Sequence, residues 1–319
     1  MNRIIVSRTD SIGDVALTLP LCRWIRETFP HTTLVFLCKA YTEPVVACFQ
    51  PVDSIITLEH LALLDVEARN NALNADMILH VFPNVTIAKW AKIAGIPYRI
   101  GTSHRWFHFL YCNYRLSFSR KTSPLHEAIL NFQLLKPMGL KSLPDWEEIK
   151  DVGAVFQPKE NHVFPFNHYL IIHPKSQGSA MEYPLDKHRE LAVALVDAGY
   201  QVLITGTHKE RELVEGCFDG IHGIHNVMGH FSLPEFISLI DQSEGVIACS
   251  TGPLHLAGSM NRKALGLFSP RKPIHPGRWK PLGLQSTPIV YDEACVRCQG
   301  GNVCNCIQNI SVESIISHF

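Results

Sequence analysis

The sequence predicts an α/β protein in which parallel sheets are covered by helices on both faces. Apolar runs such as Ile4-Ile5-Val6, Met77-Ile78-Leu79-His80-Val81 and Tyr169-Leu170-Ile171-Ile172-His173 are too continuous for strands with one wet face. Stretches with helical apolar spacing alternate with them through short loops. The pattern then restarts after a proline-rich interval, and 319 residues suit two compact domains.

In the first half, Val15 to Phe29 carries apolar residues at Val15, Leu19, Cys22, Ile25 and Phe29, a helix that Pro20 should kink or restart. Thr33 to Cys38 reads as a strand, and Thr42 to Phe49 and Leu61 to Leu73 as helices. Val85 to Ala94 is a helix closed by Gly95 and Pro97, followed by a short strand at Tyr98 to Gly101. His104 to Arg115 reads as a loop with one helical turn, an irregular connection whose Arg105, Trp106, His108, Tyr111 and Arg115 could otherwise grip an anionic acceptor. Glu127 to Met138, ended by Gly139, closes this half.

Between Leu143 and Pro165 periodicity fades, so a linker is placed there and the domains are drawn as 1–160 and 161–319. The second half offers helices at Leu185 to Ala198, Glu210 to Phe218 and Leu233 to Gln242, with strands at Gln201 to Thr205 and Gly245 to Ala248. A last helix runs from Val312 to Ser317.

Composition narrows the function. A 46% hydrophobic and 18% charged chain has real cores and is not disordered. Lys plus Arg equals Asp plus Glu at 29 each, so no global field recruits nucleic acid, and no nucleic-acid partner is expected. No run approaches the ~18 apolar residues of a membrane span, and Met1-Asn2-Arg3 leads straight into a strand; a cytoplasmic protein is expected. Its ten cysteines are then expected to be reduced thiols, several buried.

Two stretches carry chemistry. In the first, a strand passes through the polar turn Arg8-Thr9-Asp10-Ser11 into a helix opening at Ile12-Gly13-Asp14-Val15. Unpaired N–H groups at such a helix start attract anions and polar substrates, and Gly13 permits close approach. Asp14 is either the first acidic group that a substrate hydroxyl meets or a dipole-complementing residue of the first turn. In the second, strand 245–248 runs into Cys249-Ser250-Thr251-Gly252-Pro253-Leu254-His255. Thr251 and Gly252 sit where an N-cap belongs and Pro253 fits the first helical position, which aims a helix N-terminus outward and suits a phosphate. His255 could bond a phosphate or sugar, or be a satisfied half-buried histidine. Absence of G-x-G-x-x-G and of G-x-x-x-x-G-K-[ST] argues against a dinucleotide oxidoreductase and a P-loop enzyme.

Together these stretches resemble glycosyltransferase family 9, the ADP-heptose:lipopolysaccharide heptosyltransferases of Gram-negative bacteria. The resemblance rests on Arg8 to Val15, Thr18-Leu19-Pro20, Phe29-Pro30, His173-Pro174, Tyr183-Pro184, Thr205-Gly206, Thr251-Gly252 with His255, Phe268-Ser269-Pro270, and a tail with cysteines before a last helix, in that order. It implies a GT-B fold, two Rossmann-like doubly wound domains facing across a cleft. The acceptor belongs to the first and the nucleotide-sugar to the second, and the closing helix packs back toward the first domain. It further implies an inverting, metal-independent transfer of heptose or a similar sugar, without a cofactor, from ADP-heptose or another nucleotide-sugar. The acceptor would be a lipid-linked glycan at the inner membrane face, which the enzyme would reach from the cytoplasmic side. Asp14 would be the general base, with Thr9, Asp10, Ser11 and Gly13 on the acceptor side. Ser250, Thr251, Gly252, Pro253, His255, Lys175 and Ser176 would hold the donor.

Two positions depart from the family. Ser250 stands where the family usually has Asp, and Met181 where it usually has Lys. Lys175, or Arg271, Lys272, Arg278 and Lys280, could supply the missing positive charge. A weak or inactive homologue acting as a sugar-nucleotide-binding or scaffold protein, and another GT-B enzyme such as a sugar-nucleotide epimerase, therefore stay open. Cys295-x-x-Cys298 followed by Cys304-x-Cys306, with Gly300-Gly301 as a turn between them, resembles zinc-ligand spacing. The pairs lie closer in sequence than in common zinc modules, so no metal is assigned.

Overall fold

The computed structural model describes residues 1–300, 302 and 304–319. Two compact units emerge, Met1–Gln157 and Pro158–Phe319. The first holds β1 (Arg3–Ser7), β2 (Thr33–Cys38), β3 (Ser54–Thr57), β4 (Met77–His80), β5 (Tyr98–Thr102) and β6 (Tyr114–Leu116), all paired in parallel in the order β3-β2-β1-β4-β5-β6. The second holds β7 (Tyr169–His173), β8 (Gln201–Ile204), β9 (Ile224–Asn226), β10 (Gly245–Cys249), β11 (Lys263–Phe268) and β12 (Ser286–Val290), also parallel, in the order β12-β11-β10-β7-β8-β9. Counted from its own first strand, each sheet runs outward through two strands and then crosses to the other side. Both are therefore doubly wound, with a switch point between β1 and β4 in one and between β7 and β10 in the other. Two doubly wound, Rossmann-like α/β units are what the alternating pattern and the resemblance lead one to expect.

The central strands are apolar because helices bury both faces. Ile4, Ile5 and Val6 have no exposed surface, nor do Leu170, Ile171 and Ile172; each is worth about 1.5–3 kcal/mol over an exposed counterpart. The edge strands β3 and β9 are only half-buried, and their weak patterns give the sequence no strand signal. β6 appears where a loop is expected, and β12 is a fourth edge strand that the sequence reading leaves unassigned. β11 is interior but contains Gly266, at which a Cβ would come within 2.4 Å of the Phe268 ring; tight packing, not strand propensity, selects glycine there.

Pro20 does restart the first helix. Ile12–Ala16 ends, and Leu19–Thr28 begins after Thr18, whose hydroxyl donates to the Asp14 carbonyl at 2.9 Å. The expected helix at Leu61 to Leu73 is two, Leu58–Leu63 and Val66–Ala72, separated by the N-cap Asp65. Glu127 to Met138 is α-helical only over Glu127–Asn131 and tightens into a 3-10 turn containing Pro137, before Gly139 ends it at φ 99°. Glu210 to Phe218 is shorter than expected, an α-turn His208–Arg211 followed by a 3-10 turn. Within the predicted linker, Asp145 and Glu148 form a capping box on a short helix, Trp146–Ile149. The closing helix Val312–Ile316 buries Val312 and Ile315 in the second unit's core.

His188 lies in that unit's helix Leu185–Asp197, with no exposed surface and neither ring nitrogen partnered among the described residues; the Tyr183 ring sits edge-on, 5.1 Å away. Burial depresses its pKa to about 3. The unfolded chain, with an ordinary histidine near 6.5, binds more protons between these values. Stability is thus complete above about pH 6.5 and falls as pH drops toward 3, by about 2 kcal/mol at pH 5 for this one ring. His188→Leu should lose correspondingly less stability than the parent between about pH 7 and pH 5 in urea titrations; equal losses would remove His188 from the acid response.

Candidate functional site

In the first unit, β1 delivers Ser7 to the switch point and the chain turns through Arg8 to Ser11. Ser11 caps the Ile12–Ala16 helix, and its hydroxyl donates to Asp14 Oδ2 at 2.5 Å. Arg8 Nη2 donates to the other Asp14 oxygen, and Arg8 Nε to Asp10 Oδ1 at 2.7 Å. Tyr41 adds a bond from its hydroxyl to the Asp10 carbonyl at 2.5 Å. Gly13 and Thr9 are buried, and the Thr9 hydroxyl has no partner among the described residues. The charge beside Asp14 thus comes from a guanidinium, and the five-residue helix is too short for the dipole that the sequence suggests.

Arg8 itself is only 2% exposed. Its Nη1 reaches Glu127 Oε1 and Asn131 Oδ1, both at 3.4 Å, on the Glu127–Asn131 helix. Arg120 pairs with Glu127 and donates to Asn131 Oδ1 at 2.9 Å and to the Val81 carbonyl at 3.0 Å. The Asn131 amide donates back to the Leu17 carbonyl at 3.1 Å. Burial opposes the Arg8 charge, but Asp10 and Asp14 outweigh it and hold its pKa above the ordinary value. Asp10 is raised, chiefly by burial, which Arg8 offsets only in part.

Sequence reading missed Glu127, Arg120 and Asn131. The available signal was a polar pair at i and i+4 inside an otherwise apolar helix. It also missed His80, the register partner of Ser7 at the end of β4. Both His80 ring nitrogens and the Ser7 hydroxyl are buried without a partner among the described residues, and burial pushes His80 down to about 3.

In the second unit, β7 and β10 are neighbours, with Ala248 opposite His173. The 173–176 and 250–255 turns therefore leave adjacent strands at one switch point, which brings the two predicted donor stretches together. Thr251 caps the helix Gly252–Ser259 in extended geometry, φ −134° and ψ 167°, with Pro253 in the first turn. Its hydroxyl is buried and has no partner among the described residues. Ser250, Pro253 and His255 are buried and Gly252 half-buried.

Lys175 and Ser176 are drawn in by a residue the sequence did not single out. Glu182 pairs with the Lys175 ammonium and accepts from the Ser176 N–H at 2.8 Å and the Ser176 hydroxyl at 2.9 Å. Burial would raise the Glu182 pKa, yet these bonds hold it below the usual range. Met181 packs against the apolar core, so a lysine there would meet hydrocarbon. His173 Nδ1 lies 3.0 Å from Thr205 Oγ1, and burial lowers its pKa to about 4. Among the alternative cations, the Arg278 guanidinium lies 5.2 Å over the Trp279 ring, and the Arg271 N–H donates to Ser269 Oγ at 3.2 Å.

The aromatic stretch forms a helix, Trp106–Tyr111. His108 is buried with Nδ1 2.9 Å from the Thr102 carbonyl, so it belongs to the core and not to an acceptor grip. Trp106, Phe109 and Leu110 are 72%, 59% and 54% exposed, with the Arg115 guanidinium 5.0 Å over the Phe109 ring.

The model of glycosyltransferase family 9 (heptosyltransferase) matches residues 73–306. The chain belongs to this family. As a family 9 member it is a glycosyltransferase, which sets aside the epimerase reading. A putative glycosyltransferase of Haemophilus influenzae is 24% identical over 309 residues, covering 88% of this chain and 86% of that protein. The structure of E. coli ADP-heptose lps heptosyltransferase II superposes with a TM-score of 0.76 at 17% identity, over 100% of this chain and 97% of that one. E. coli heptosyltransferase WaaC with ADP superposes at 0.72 and 15% identity, over 99% and 98%. At these identities the two structures speak for the fold alone.

Arg8→Met would take from Asp10, Asp14 and Glu127 the cation they share, leaving Glu127 with Arg120. Removing one partner of a buried ion pair costs about 3–5 kcal/mol. Chemical denaturation should show a loss of that order, and a loss below about 1 kcal/mol would mean that the carboxylates reach solvent instead.

Proposed function

We propose that this family 9 glycosyltransferase moves heptose from ADP-heptose to a lipopolysaccharide-type acceptor, with inversion at the anomeric carbon. The observation that carries the reading is the Asp14 carboxylate, presented at the first switch point with one oxygen taken by Arg8 and the other by Ser11. Those two bonds orient the carboxylate toward an acceptor hydroxyl. As that oxygen attacks the anomeric carbon, its proton passes to Asp14, and the bond to the diphosphate breaks with its electron pair leaving on the nucleotide. Thr9, Asp10, Ser11 and Gly13 shape the acceptor side.

On the donor side, the N–H groups at the start of Gly252–Ser259 and the unpartnered Thr251 hydroxyl suit the departing diphosphate, aided by Ser250, Pro253 and His255. Lys175 and Ser176 act through the loop that Glu182 closes. That the matched family is described as heptosyltransferases supports the choice of heptose as the sugar moved. Among the described residues no helix is long and apolar enough to cross a membrane. The exposed Trp106, Phe109 and Leu110 with Arg115 beside them suit a peripheral contact at the inner membrane face, where a lipid-linked acceptor would lie.

Asp14→Asn should cut the transfer rate by about 10² to 10⁴ while ADP affinity, measured by calorimetry, stays within about twofold. Retention of most activity would exclude Asp14 as the base. Ser250→Asp should lower KM for ADP-heptose about fivefold, because a charge-assisted bond to a sugar hydroxyl gains about 1 kcal/mol over a neutral one. An unchanged or higher KM would show that Ser250 does not face the donor sugar.

A further inference from the structure

Between β12 and the closing helix the chain gathers four thiols. Cys295 precedes the short helix Val296–Gln299, Cys298 lies within it, and Cys304 and Cys306 stand at the entry to the 3-10 turn Cys306–Asn309. Gly301, half of the expected turn between the pairs, lies outside the described residues. The four sulfurs all lie within 4.8 Å of one another, with Cys304 3.5 Å from Cys295 and 3.2 Å from Cys306. None is bonded to another: all are free thiols, whereas disulfide sulfurs sit at about 2.0 Å. Metal–thiolate bonds of about 2.3 Å in a tetrahedron place sulfurs about 3.8 Å apart, close to the spacing seen here.

Hydrophobic burial does not account for this convergence. Cys298 and Cys306 are buried, but Cys295 and Cys304 are half-buried, and neighbouring Val296 is 82% exposed. A satellite core would turn the valine inward and leave the thiols to chance. Instead the apolar side chain faces out and four sulfurs face one another. The Ser269 hydroxyl, from the turn after β11, lies 3.4 Å from Cys298 Sγ, where it can donate to a thiolate as the groups around metal ligands do.

We propose that Cys295, Cys298, Cys304 and Cys306 bind one thiophilic transition-metal ion, zinc or iron, in an all-thiolate tetrahedral site. Binding replaces four S–H bonds with four metal–sulfur bonds and releases four protons to solvent. Four protein ligands leave no open position, so the ion is structural and takes no part in sugar transfer. It cross-links the segment ahead of the closing helix and, through Ser269, ties that segment to the carboxyl end of β11.

The test is elemental analysis of the full chain expressed with zinc and iron in the medium and purified without chelator. About one equivalent of metal per chain is expected, iron being told from zinc by visible thiolate charge-transfer absorption. Zinc would instead be released to a colorimetric chelator as a mercurial titrates the thiols. Cys295→Ser with Cys298→Ser should bring the content near zero and lower the melting temperature, while Cys217→Ser, outside the cluster, should leave the metal content unchanged. Should the double variant fail to fold, the parent decides alone. Less than about a tenth of an equivalent, release of metal without thiol modification, or disulfides in place of ten titratable thiols would overturn the proposal.

Discussion

A guanidinium shut away from water costs several kcal/mol unless its donors are met, and Arg8 meets them with Asp10, Asp14, Glu127 and Asn131. Those partners come from two places, the turn that follows β1 and a helix more than a hundred residues later. One buried charge therefore joins the start of the first unit to a helix late in it. It also holds the Asp14 carboxylate at the end of β1, since Asp14 cannot swing away without leaving Arg8 behind.

The second unit reaches a comparable result with less charge. Its equivalent strands, β7 and β10, also end side by side, and the loops that follow them carry hydroxyls and backbone N–H groups. Glu182 does there what Arg8 does in the first unit, gathering Lys175 and Ser176 around one charged group. The two units thus use opposite charges for one purpose, a buried or half-buried ion holding the loop that leaves the switch point.

Ser250 and Met181 now look different from each other. Ser250 remains in the turn after β10, where a hydroxyl can face a ligand. Met181 is half-buried against the hydrophobic core, while Lys175 in the same loop is paired with Glu182.

The sequence by itself determined the α/β alternation, the central strands other than β11, and the two turns at their ends. Those features follow from local chemistry: β-branched runs buried on both faces, a glycine or proline where the backbone turns, a hydroxyl at a helix start. Tertiary structure alone decided the edge strands, whose half-buried patterns resemble loops, and the identity of the partners around each turn. Arg8 finds Glu127, Lys175 finds Glu182 and His80 lies opposite Ser7 because parallel strands in a doubly wound order bring distant loops to one end of a sheet. The four cysteines were visible as spacing, but only the folded chain brings their sulfurs within one ion's reach. Spacing records separation along the chain, whereas coordination and charge pairing depend on distance through space.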